Sequence, residues 1–320
     1  MLGFTIAIAL AMSGWIGPTR GGTWTFLPLL IAFGVFPILE LITPTDRNSP
    51  ATWPAWTYKT LLYAFAAYHV FIIFWGAHFV TAHPITAMQF IGIAGSIGFI
   101  TGAIGITVSH ELIHRRDRFD RLLGEAILVL VSYGHFAVEH VRGHHLHMGT
   151  PRDPATARKG ESLYQFFLRS LVGSFRSAYR LKPSRVTGSL TCSLLISVLL
   201  GLAFGSRAAI FFYAQGIVAI LLLETINYIE HYGLRRREIS PGRYEAVKGW
   251  HSWDSDCLIT SKLLINLQRH ADHHLHPMRN YQELELIDEA PMLPTGYAGM
   301  ILLAAFPPLW RRVMDARIPA

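Results

Sequence analysis

The sequence predicts an all-α integral membrane protein with about six transmembrane helices in three hairpins and a histidine-rich cap on the cytoplasmic side. Hydrophobic residues make up 51% of its 320 residues and charged residues only 15%, whereas a soluble domain carries about 25% charged residues. The apolar residues are concentrated in runs that approach the roughly 20 residues needed to cross a bilayer. The basic residues are also divided very unequally between the two ends of these runs.

Six apolar runs are the predicted spans, and short turns such as "PTRGG" and "TAHPIT" join them in pairs. The first run has no basic segment in front of it, so we interpret it as a span and not as a cleaved signal peptide. No internal repeat or low-complexity linker divides the chain, which predicts a single domain over residues 1–320. The predicted spans are 1–17, 23–42, 58–80, 87–109, 188–206 and 208–229.

The distribution of Lys and Arg predicts the orientation of the chain. Of 28 such residues, 26 fall in segments 110–187 and 230–320 or beside the connection between the second and third spans, while only Arg20 and Arg207 fall on the opposite side. Cytoplasmic loops carry the excess of basic residues, so both termini and both long segments are predicted to be cytoplasmic. The same rule accounts for the net charge of +7 without a nucleic-acid partner.

Two shorter apolar stretches lie inside the cytoplasmic segments. We expect residues 122–139 to form an amphipathic or re-entrant helix on the membrane face, because a span there would separate histidines onto opposite sides of the membrane. Residues 297–310 are expected to form an interfacial helix. The two cysteines, Cys192 and Cys257, can form neither a disulfide framework nor a four-cysteine cluster. One-electron chemistry would therefore need electrons from another protein.

Eleven of the 16 histidines fall in four short stretches: "HELIH" from residue 110, "EHVRGHHLH" from 139, "NYIEHYG" from 227 and "LQRHADHHLH" from 267. Residues four apart share one face of a helix. This spacing predicts pairs, with His145 and His273 as neighbours: His110 with His114, His140 with His144, and His270 with His274. Neutral imidazole binds first-row metals, and eight imidazoles exceed what one tetrahedral ion uses. We therefore expect two metal ions.

Two other functions fit the pattern less well. "HELIH" alone is the pattern of a zinc protease, but such a site needs only three protein ligands and leaves at least six histidines unexplained. A passive metal transporter would place ionisable residues near the middle of the membrane, whereas these histidines gather at one face. Single histidines are interpreted as packing or surface residues: His69, His78, His83, His135, His147, His251 and His276.

The histidine boxes resemble those of the membrane di-iron desaturase and hydroxylase superfamily. Together, "HELIH", "EHVRGHH", "NYIEHYGL" and "LQRHADHH" are similar to the four signatures of the bacterial alkane 1-monooxygenase family. The stretches "YGHF", "TPRDPATARKGES", "HSWDSD" and "LPTGY" are similar to its linking segments. The resemblance covers roughly residues 25–315.

The resemblance implies O₂-dependent terminal hydroxylation of n-alkanes to 1-alkanols at two non-haem iron ions. It implies electrons from rubredoxin, itself reduced by a rubredoxin reductase, and a multi-pass location in the bacterial inner membrane with alkane arriving from the bilayer. A xylene-type monooxygenase or a fatty acyl desaturase fed by cytochrome b5 or ferredoxin remains an alternative. The iron ligands implied by the resemblance are His110, His114, His140, His144, His145, His231, His270, His273 and His274.

Polar residues near these ligands are predicted to orient them. Glu224, Asn227 and His231 are spaced to share one face of the sixth span, and a carboxylate in an apolar span is costly unless it is paired or functional. We expect Glu224 to hold the second ring nitrogen of a ligand histidine. The same role is expected for five further residues: Glu111, Glu139, Asn227, Glu230 and Asp272.

Two further sets of residues rest on weaker arguments. Ala32, Phe36 and Ile104 are candidates to line a substrate channel, although small residues beside them usually mark close helix packing. A basic surface would attract an acidic donor, although the positive-inside rule alone explains basic residues here. The candidate docking residues are Arg115, Arg116, Arg142, Arg235, Arg236 and Arg237.

Overall fold

The computed structural model describes residues 5–47 and 52–319, which are mostly helical. Helix α1 is Thr5–Arg20. A 3₁₀ turn, a π turn and two short α-helices run together as α2, Gly22–Ile42. Helix α3 is Ala55–Ala82, and α4, Ala87–Ile113, contains a π turn at Thr101–Ile106. These four helices form the N-terminal part of the helical bundle.

Within the described residues, the remaining chain adds nine α-helical units, one small hairpin and two 3₁₀ turns, Gly249–His251 and Tyr281–Glu283. The short helix Phe136–Glu139 continues through a π turn, His140–His144, into His145–His147, and we call this unit α6. The strands β1 and β2 pair antiparallel over Glu238–Ser240 and Arg243–Tyr244. The other helices are α5 Arg118–Leu130, α7 Leu163–Leu181, α8 Pro183–Phe204, α9 Ser206–His231, α10 Leu258–Leu263, α11 His270–Leu275, α12 Tyr297–Ala304 and α13 Pro307–Met314.

Five described helices are long and apolar enough to cross a membrane: α2, α3, α4, α8 and α9. Their outward side chains are apolar as well; Leu41 is 79% exposed and Leu202 is 80% exposed. Large exposed apolar surfaces of this kind indicate contact with lipid. The prediction of an all-α membrane protein is confirmed. The predicted first span, 1–17, corresponds to α1. Residues 1–4 of that span lie outside the described part of the chain, so the count of six spans stays a prediction.

Short turns join the helices as the sequence indicates. Gly21 and Gly205 adopt positive φ angles of 70° and 95° between α1 and α2 and between α8 and α9, a conformation that glycine adopts without steric cost. Thr86 caps α4, with Gln89 completing the reciprocal capping box. The paired helices pack against each other. These turns keep the ends of α4 and α9, which carry histidines, on the same side of the bundle.

Helix α4 runs through the centre of the bundle, and its glycines permit close contacts. A Cβ atom at Gly102 would lie 2.9 Å from the Cα of Ala219, and one at Gly105 would lie 2.0 Å from the ring of His69. Small residues allow backbones to approach in this way. These glycines therefore serve helix packing, and His69 is a packing residue, as predicted.

Two predictions for the segments outside the spans need correction. The stretch 122–139 is not one helix: α5 ends at Leu130, and α6 begins at Phe136. Likewise 297–310 forms two helices. Phe306 adopts a non-helical conformation, with φ −116° and ψ 84°, directly before the proline that begins α13. Tyr297 and Trp310 are fully buried, so each helix packs one face into the protein core, while Leu302, Phe306 and Leu309 are exposed and the interfacial position stays a prediction.

Candidate metal centre

The four histidine stretches converge at one end of the bundle. The last turn of α4 carries His110, and His114 follows it; α9 ends at His231. Helices α6 and α11 are short and consist largely of their histidine boxes. Because α4 and α9 are long neighbouring helices that contact each other, they provide a rigid base on which the shorter helices place the remaining histidines.

The nine predicted ligand histidines form two groups. In each group one nitrogen from every ring lies within 4.8 Å of all the others. A group of five and a group of four are close enough that rings of the two groups contact each other, as His144 and His145 do at 5.8 Å between centroids. The groups are His110, His114, His140, His145 and His273, and then His144, His231, His270 and His274.

The predicted pair of His140 and His144 is divided between the two groups. The π turn at His140–His144 adds one residue to the turn, and π turns bond residue i to residue i+5. Consequently His145 joins the group of His140, with 3.1 Å between their Nε2 atoms, although the ring of His144 stacks on that of His140 at 5.2 Å between centroids. His144 turns instead to the second group, 3.3 Å from the Nε2 of His274. Both members of each remaining predicted pair, His110 with His114 and His270 with His274, lie in the same group.

The nitrogen spacing fits metal coordination. Adjacent Nε2 atoms lie 3.0 Å apart for His274 and His270 and 3.2 Å apart for His270 and His231. Two imidazole nitrogens bound about 2.1 Å from one ion at neighbouring positions are separated by about 3 Å. Among the described residues, the buried Nε2 atoms of His110 and His114 have no hydrogen-bond partner. Both observations fit a pair of histidine-ligated ions.

Burial keeps most of these rings neutral, which is the state that binds metal. Burial, together with the nearby His144, lowers the pKa of His114 to about 3. Burial and neighbouring histidines also lower the pKa of His140 and of His273 well below the usual value. His144 differs: burial opposes its protonation, but the adjacent Asp153 raises its pKa above the usual value.

Asp153 is a functional candidate that the sequence reasoning missed. Its Oδ2 atom accepts a hydrogen bond from Nδ1 of His144 at 3.0 Å, and both side chains are buried. Oδ2 of Asp153 also accepts a hydrogen bond from the Thr156 hydroxyl, and its Oδ1 accepts one from Ala155 N. Carboxylates in this position fix the orientation of ligand histidines. The only sequence signal was its place in the "TPRDPATARKGES" stretch.

Of the predicted orienting residues, Glu230 lies closest to the histidines. Its Oε2 atom is 3.2 Å from Nε2 of His270, and its Oε1 atom accepts a hydrogen bond from Tyr297 at 2.7 Å. Since it approaches the nitrogen that faces the other rings, Glu230 lies on the inner side of the four-histidine group and not behind it.

Glu224 and Glu139 lie behind the histidines. Glu224 accepts hydrogen bonds from Tyr133 at 2.8 Å and from Asn227 at 3.4 Å, and contacts Ser170, so it has no direct histidine partner among the described contacts. Burial and the nearby Asp153 raise the pKa of Glu139 to about 8. Glu224 thus fastens α7 and the loop before α6 to α9.

Glu111 and Asp272 hold loops. Glu111 pairs with Arg115 at 2.6 Å and accepts a bond from Tyr281 N at 3.2 Å. Asp272 binds His276 at 2.7 Å and Arg279 at 2.8 Å. Both carboxylates therefore shape the segment that follows α11 and touch no predicted ligand directly.

The histidines predicted to lie outside the centre do so. None belongs to either histidine group. His276 is paired with Asp272 and has a half-exposed side chain, while His147 is half-buried at the end of α6. His69, His135 and His251 are buried elsewhere, and His78 and His83 lie at the far end of α3.

An apolar cavity lies within the bundle. Two of the three predicted channel residues, Ala32 and Phe36, line it together with Phe99, Leu222 and Ile226, and their role in a substrate channel stays a prediction. Ile226 also lines a second cavity, whose lining includes His110, His140, His270, Asn227 and Glu230. Ile104 is buried but lines neither cavity.

The predicted docking arginines divide into two classes. Arg116, Arg142, Arg235 and Arg237 are exposed. Arg115 is held by Glu111 and Asn280, and Arg236 donates to the carbonyl oxygens of Glu245 and Leu146 at 2.6 and 3.1 Å. Because their hydrogen bonds are already satisfied within the chain, Arg115 and Arg236 are poorly suited to bind a partner.

Comparisons with known proteins agree with this site. The fatty acid desaturase family model matches residues 90–304. Alkane 1-monooxygenase 2 of Pseudomonas aeruginosa is 40% identical over 98% of this chain and 89% of its own length. Alkane 1-monooxygenase 1 of Alcanivorax borkumensis is 37% identical over 95% and 80%, respectively. The xylene/toluene monooxygenase hydroxylase component of Pseudomonas putida is 27% identical over 93% and 83%.

Proposed function

The chain belongs to the alkane 1-monooxygenases of the fatty acid desaturase family, and from that premise we propose that it hydroxylates the terminal carbon of n-alkanes at a di-iron centre. The observation that carries the proposal is the convergence of nine histidines into one group of five and one of four. Histidine nitrogen suits iron, and so many imidazoles leave little need for bridging carboxylates. The two groups would hold one ion each.

The bound ions would supply the activation of O₂ for C–H hydroxylation. The chain's own residues bind and orient the alkane and exclude water. The cavity lined by Ala32, Phe36 and Phe99 is apolar, and Ile226 lines both it and the second cavity. A path from the bilayer through the two cavities would place the end of an alkane, and not its middle, near His110 and His270. A narrow path therefore accounts for terminal selectivity without polar recognition.

The residues around the histidines fix their positions. Asp153 holds His144 through Nδ1 and leaves Nε2 free to face the group. Among the described contacts, Glu230 is the predicted acid whose carboxylate lies closest to a ligand nitrogen, 3.2 Å from Nε2 of His270. Such partners of ligand histidines commonly affect metal affinity or activity 10–100-fold, as an order of magnitude.

We propose a rubredoxin, reduced by its reductase, as the source of electrons, because the chain has only two cysteines and its relatives are monooxygenases. We also propose that residues 1–320 form one membrane domain, with both termini and the histidine end at the cytoplasmic face of the inner membrane. The excess of Lys and Arg in the segments around the histidines supports this orientation.

The direct test is anaerobic iron loading of the purified protein, followed by metal analysis and assay with rubredoxin, rubredoxin reductase and octane or dodecane. We expect two iron ions per chain and 1-alkanol as the product by gas chromatography. One zinc ion per chain with peptide cleavage would overturn the proposal. Desaturation of fatty acyl chains, or oxidation of xylene in preference to alkanes, would instead establish one of the related activities.

A further inference from the structure

A polar cavity of about 270 Å³ lies beside the four-histidine group, between the loop that follows α6 and the loop that follows α9. Its lining includes Gly149, Asp153, Thr156, Arg158, Arg169 and Arg235. The rim is well ordered by hydrogen bonds: Gly149 N donates to the Thr156 hydroxyl at 2.8 Å, and Arg236 N donates to the Gly149 carbonyl at 2.8 Å. Hydrogen bonds within the chain therefore fix the shape of the rim of the cavity.

The cavity has an excess of positive charge. Arg169 is neutralised by Glu161 at 2.8 Å and is held in place by the carbonyl oxygens of Pro154 and Thr156. Arg158 and Arg235 are exposed, and within the described residues neither forms an ion pair, although Arg158 lies near enough to Glu161 to favour ionisation of that carboxyl group and so to lower its pKa. The carboxylate of Asp153 already accepts three hydrogen bonds. Two guanidinium groups thus remain available for an anionic partner.

The bottom of the cavity is connected to the histidines. Asp153, which lines it, accepts a hydrogen bond from His144 at 3.0 Å, and Nε2 of His144 lies 3.3 Å from Nε2 of His274. Because His144 is itself a member of the four-histidine group, one carboxylate, that of Asp153, separates the cavity from it. A short, hydrogen-bonded and rigid path of this kind favours electron tunnelling over a path through space.

We propose that acidic side chains of the electron-donor protein dock over this cavity, pairing with Arg158 and Arg235, and that electrons enter through Asp153 and His144. This inference rests on the proposed function and adds the docking site to it. Each hydroxylation consumes two electrons, delivered singly as the donor is oxidised twice, and two protons. One oxygen atom of O₂ then becomes the hydroxyl group and the other becomes water.

The predicted arginine set changes accordingly. Arg235 is retained from it, and Arg158 is added. Arg115 and Arg236 are removed, since both are satisfied by contacts within the chain. An exposed arginine away from the cavity, Arg176 on α7, offers a matched control because it lies in the same basic segment.

Binding is measured with zinc-substituted rubredoxin, which cannot transfer electrons, and protein held in nanodiscs of neutral lipid. We expect Arg158→Glu and Arg235→Glu each to weaken binding roughly fivefold to tenfold and to reduce its dependence on salt. Arg176→Glu is expected to bind like the unaltered protein. With reduced native rubredoxin, the KM for the donor should rise while kcat at saturating donor stays the same.

Equal weakening by all three substitutions would mean that only the general positive field matters, and this would overturn the docking site, as would unchanged binding. The same two variants are tested in nanodiscs with anionic lipid. If they lose stabilisation by anionic lipid but bind rubredoxin normally, the cavity holds a lipid headgroup and the proposal is wrong. Failure of the unaltered protein to hydroxylate alkane would contradict the proposed function, whereas normal turnover with unchanged variant binding would contradict only the docking site.

Discussion

Asp153 Oδ2 lies 3.0 Å from Nδ1 of His144, and both side chains are almost completely buried. This contact determines which ring nitrogen of His144 is available, because the proton on Nδ1 is committed to the carboxylate. Nε2 is left facing His274. A loop residue nine positions along the chain thus prepares one histidine of the four-histidine group for metal.

Replacement of Asp153 by Ala should therefore loosen metal binding at the four-histidine group. We expect iron affinity to fall about 10–100-fold, as for other carboxylates behind ligand histidines. The measurement is iron per chain after dialysis against increasing chelator. One of the two iron ions should be lost first.

Glu161→Gln is the matched control for Asp153. Glu161 is another largely buried acid, but its partner is Arg169 and not a histidine. It should alter the melting temperature without selective iron loss. If both variants lose iron in parallel with their loss of stability, the Asp153 contact is merely structural.

Two histidines of the last box, two residues apart, should behave in opposite ways. His274 is buried, with its Nε2 atom 3.0 Å from Nε2 of His270, whereas the side chain of His276 is 51% exposed and binds Asp272. We expect His274→Ala to abolish hydroxylation and to remove iron, and His276→Ala to retain most of both. Metal analysis and product formation on the two purified variants check this. Comparable losses in both would contradict the division of the histidines.

The identity of the histidines was readable from the sequence, but their grouping was not. Helical spacing predicts the shared faces of His110 with His114 and of His270 with His274, and both pairs share a group. The π turn at His140–His144 could not be anticipated, because single-residue insertions in a helix depend on tertiary packing rather than on local composition. The role of Asp153 was not predicted for a related reason, because only folding brings this loop residue to His144.

The transmembrane helices were predictable because apolar length alone specifies a span. The position of 297–310 was not, since apolar character fits both a membrane interface and a protein core. Tyr297 shows where one face packs: it is fully buried, and its hydroxyl group donates a hydrogen bond to Glu230. That contact joins two segments 67 residues apart and leaves no trace in local sequence.

Ala32 should limit the length of the alkane. It is 1% exposed and lines the apolar cavity together with Phe36 and Phe99. Replacing it with Trp fills part of the path, and we expect turnover of the longest accepted alkanes to fall about 10-fold or more, as pockets discriminate chain lengths by steric fit. Gas chromatography of products from a series of alkanes measures the effect.

Ile38→Trp provides the comparison for Ala32→Trp. Ile38 lies on the same helix, but its side chain is 63% exposed on the outer surface. Its replacement should leave the chain-length profile unchanged. An unaltered profile in the Ala32 variant as well would show that the alkane does not follow this cavity.

Asp46 should be important for stability, because it neutralises two cations beneath the last histidine box. Its Oδ2 atom lies 2.5 Å from Lys262 and 3.1 Å from Arg269, which is almost completely buried and immediately precedes His270. Asp46→Ala leaves these charges without that carboxylate, and breaking a buried pair costs about 3–5 kcal/mol. Thermal unfolding in detergent measures the loss. Arg47→Ala is the control, since Arg47 is 80% exposed and 3.7 Å from Asp256, and such pairs contribute about 1 kcal/mol or less.

The same cluster predicts how stability depends on pH. Burial opposes ionisation of Asp46, but Lys262 and Arg269 outweigh it and hold the pKa of this carboxyl below its usual value. A carboxyl group whose pKa is lower in the folded state stabilises the protein at pH values above its pKa in the unfolded chain, which is about 3.9 for Asp. This stabilisation is lost as the pH falls through the pKa of the folded state. The melting temperature should therefore depend on Asp46 at pH 5–7, and the difference between the unaltered protein and Asp46→Ala should shrink below about pH 4. A difference that stayed constant down to the lowest pH at which the protein remains soluble would mean that the ionised carboxylate is not what stabilises this region.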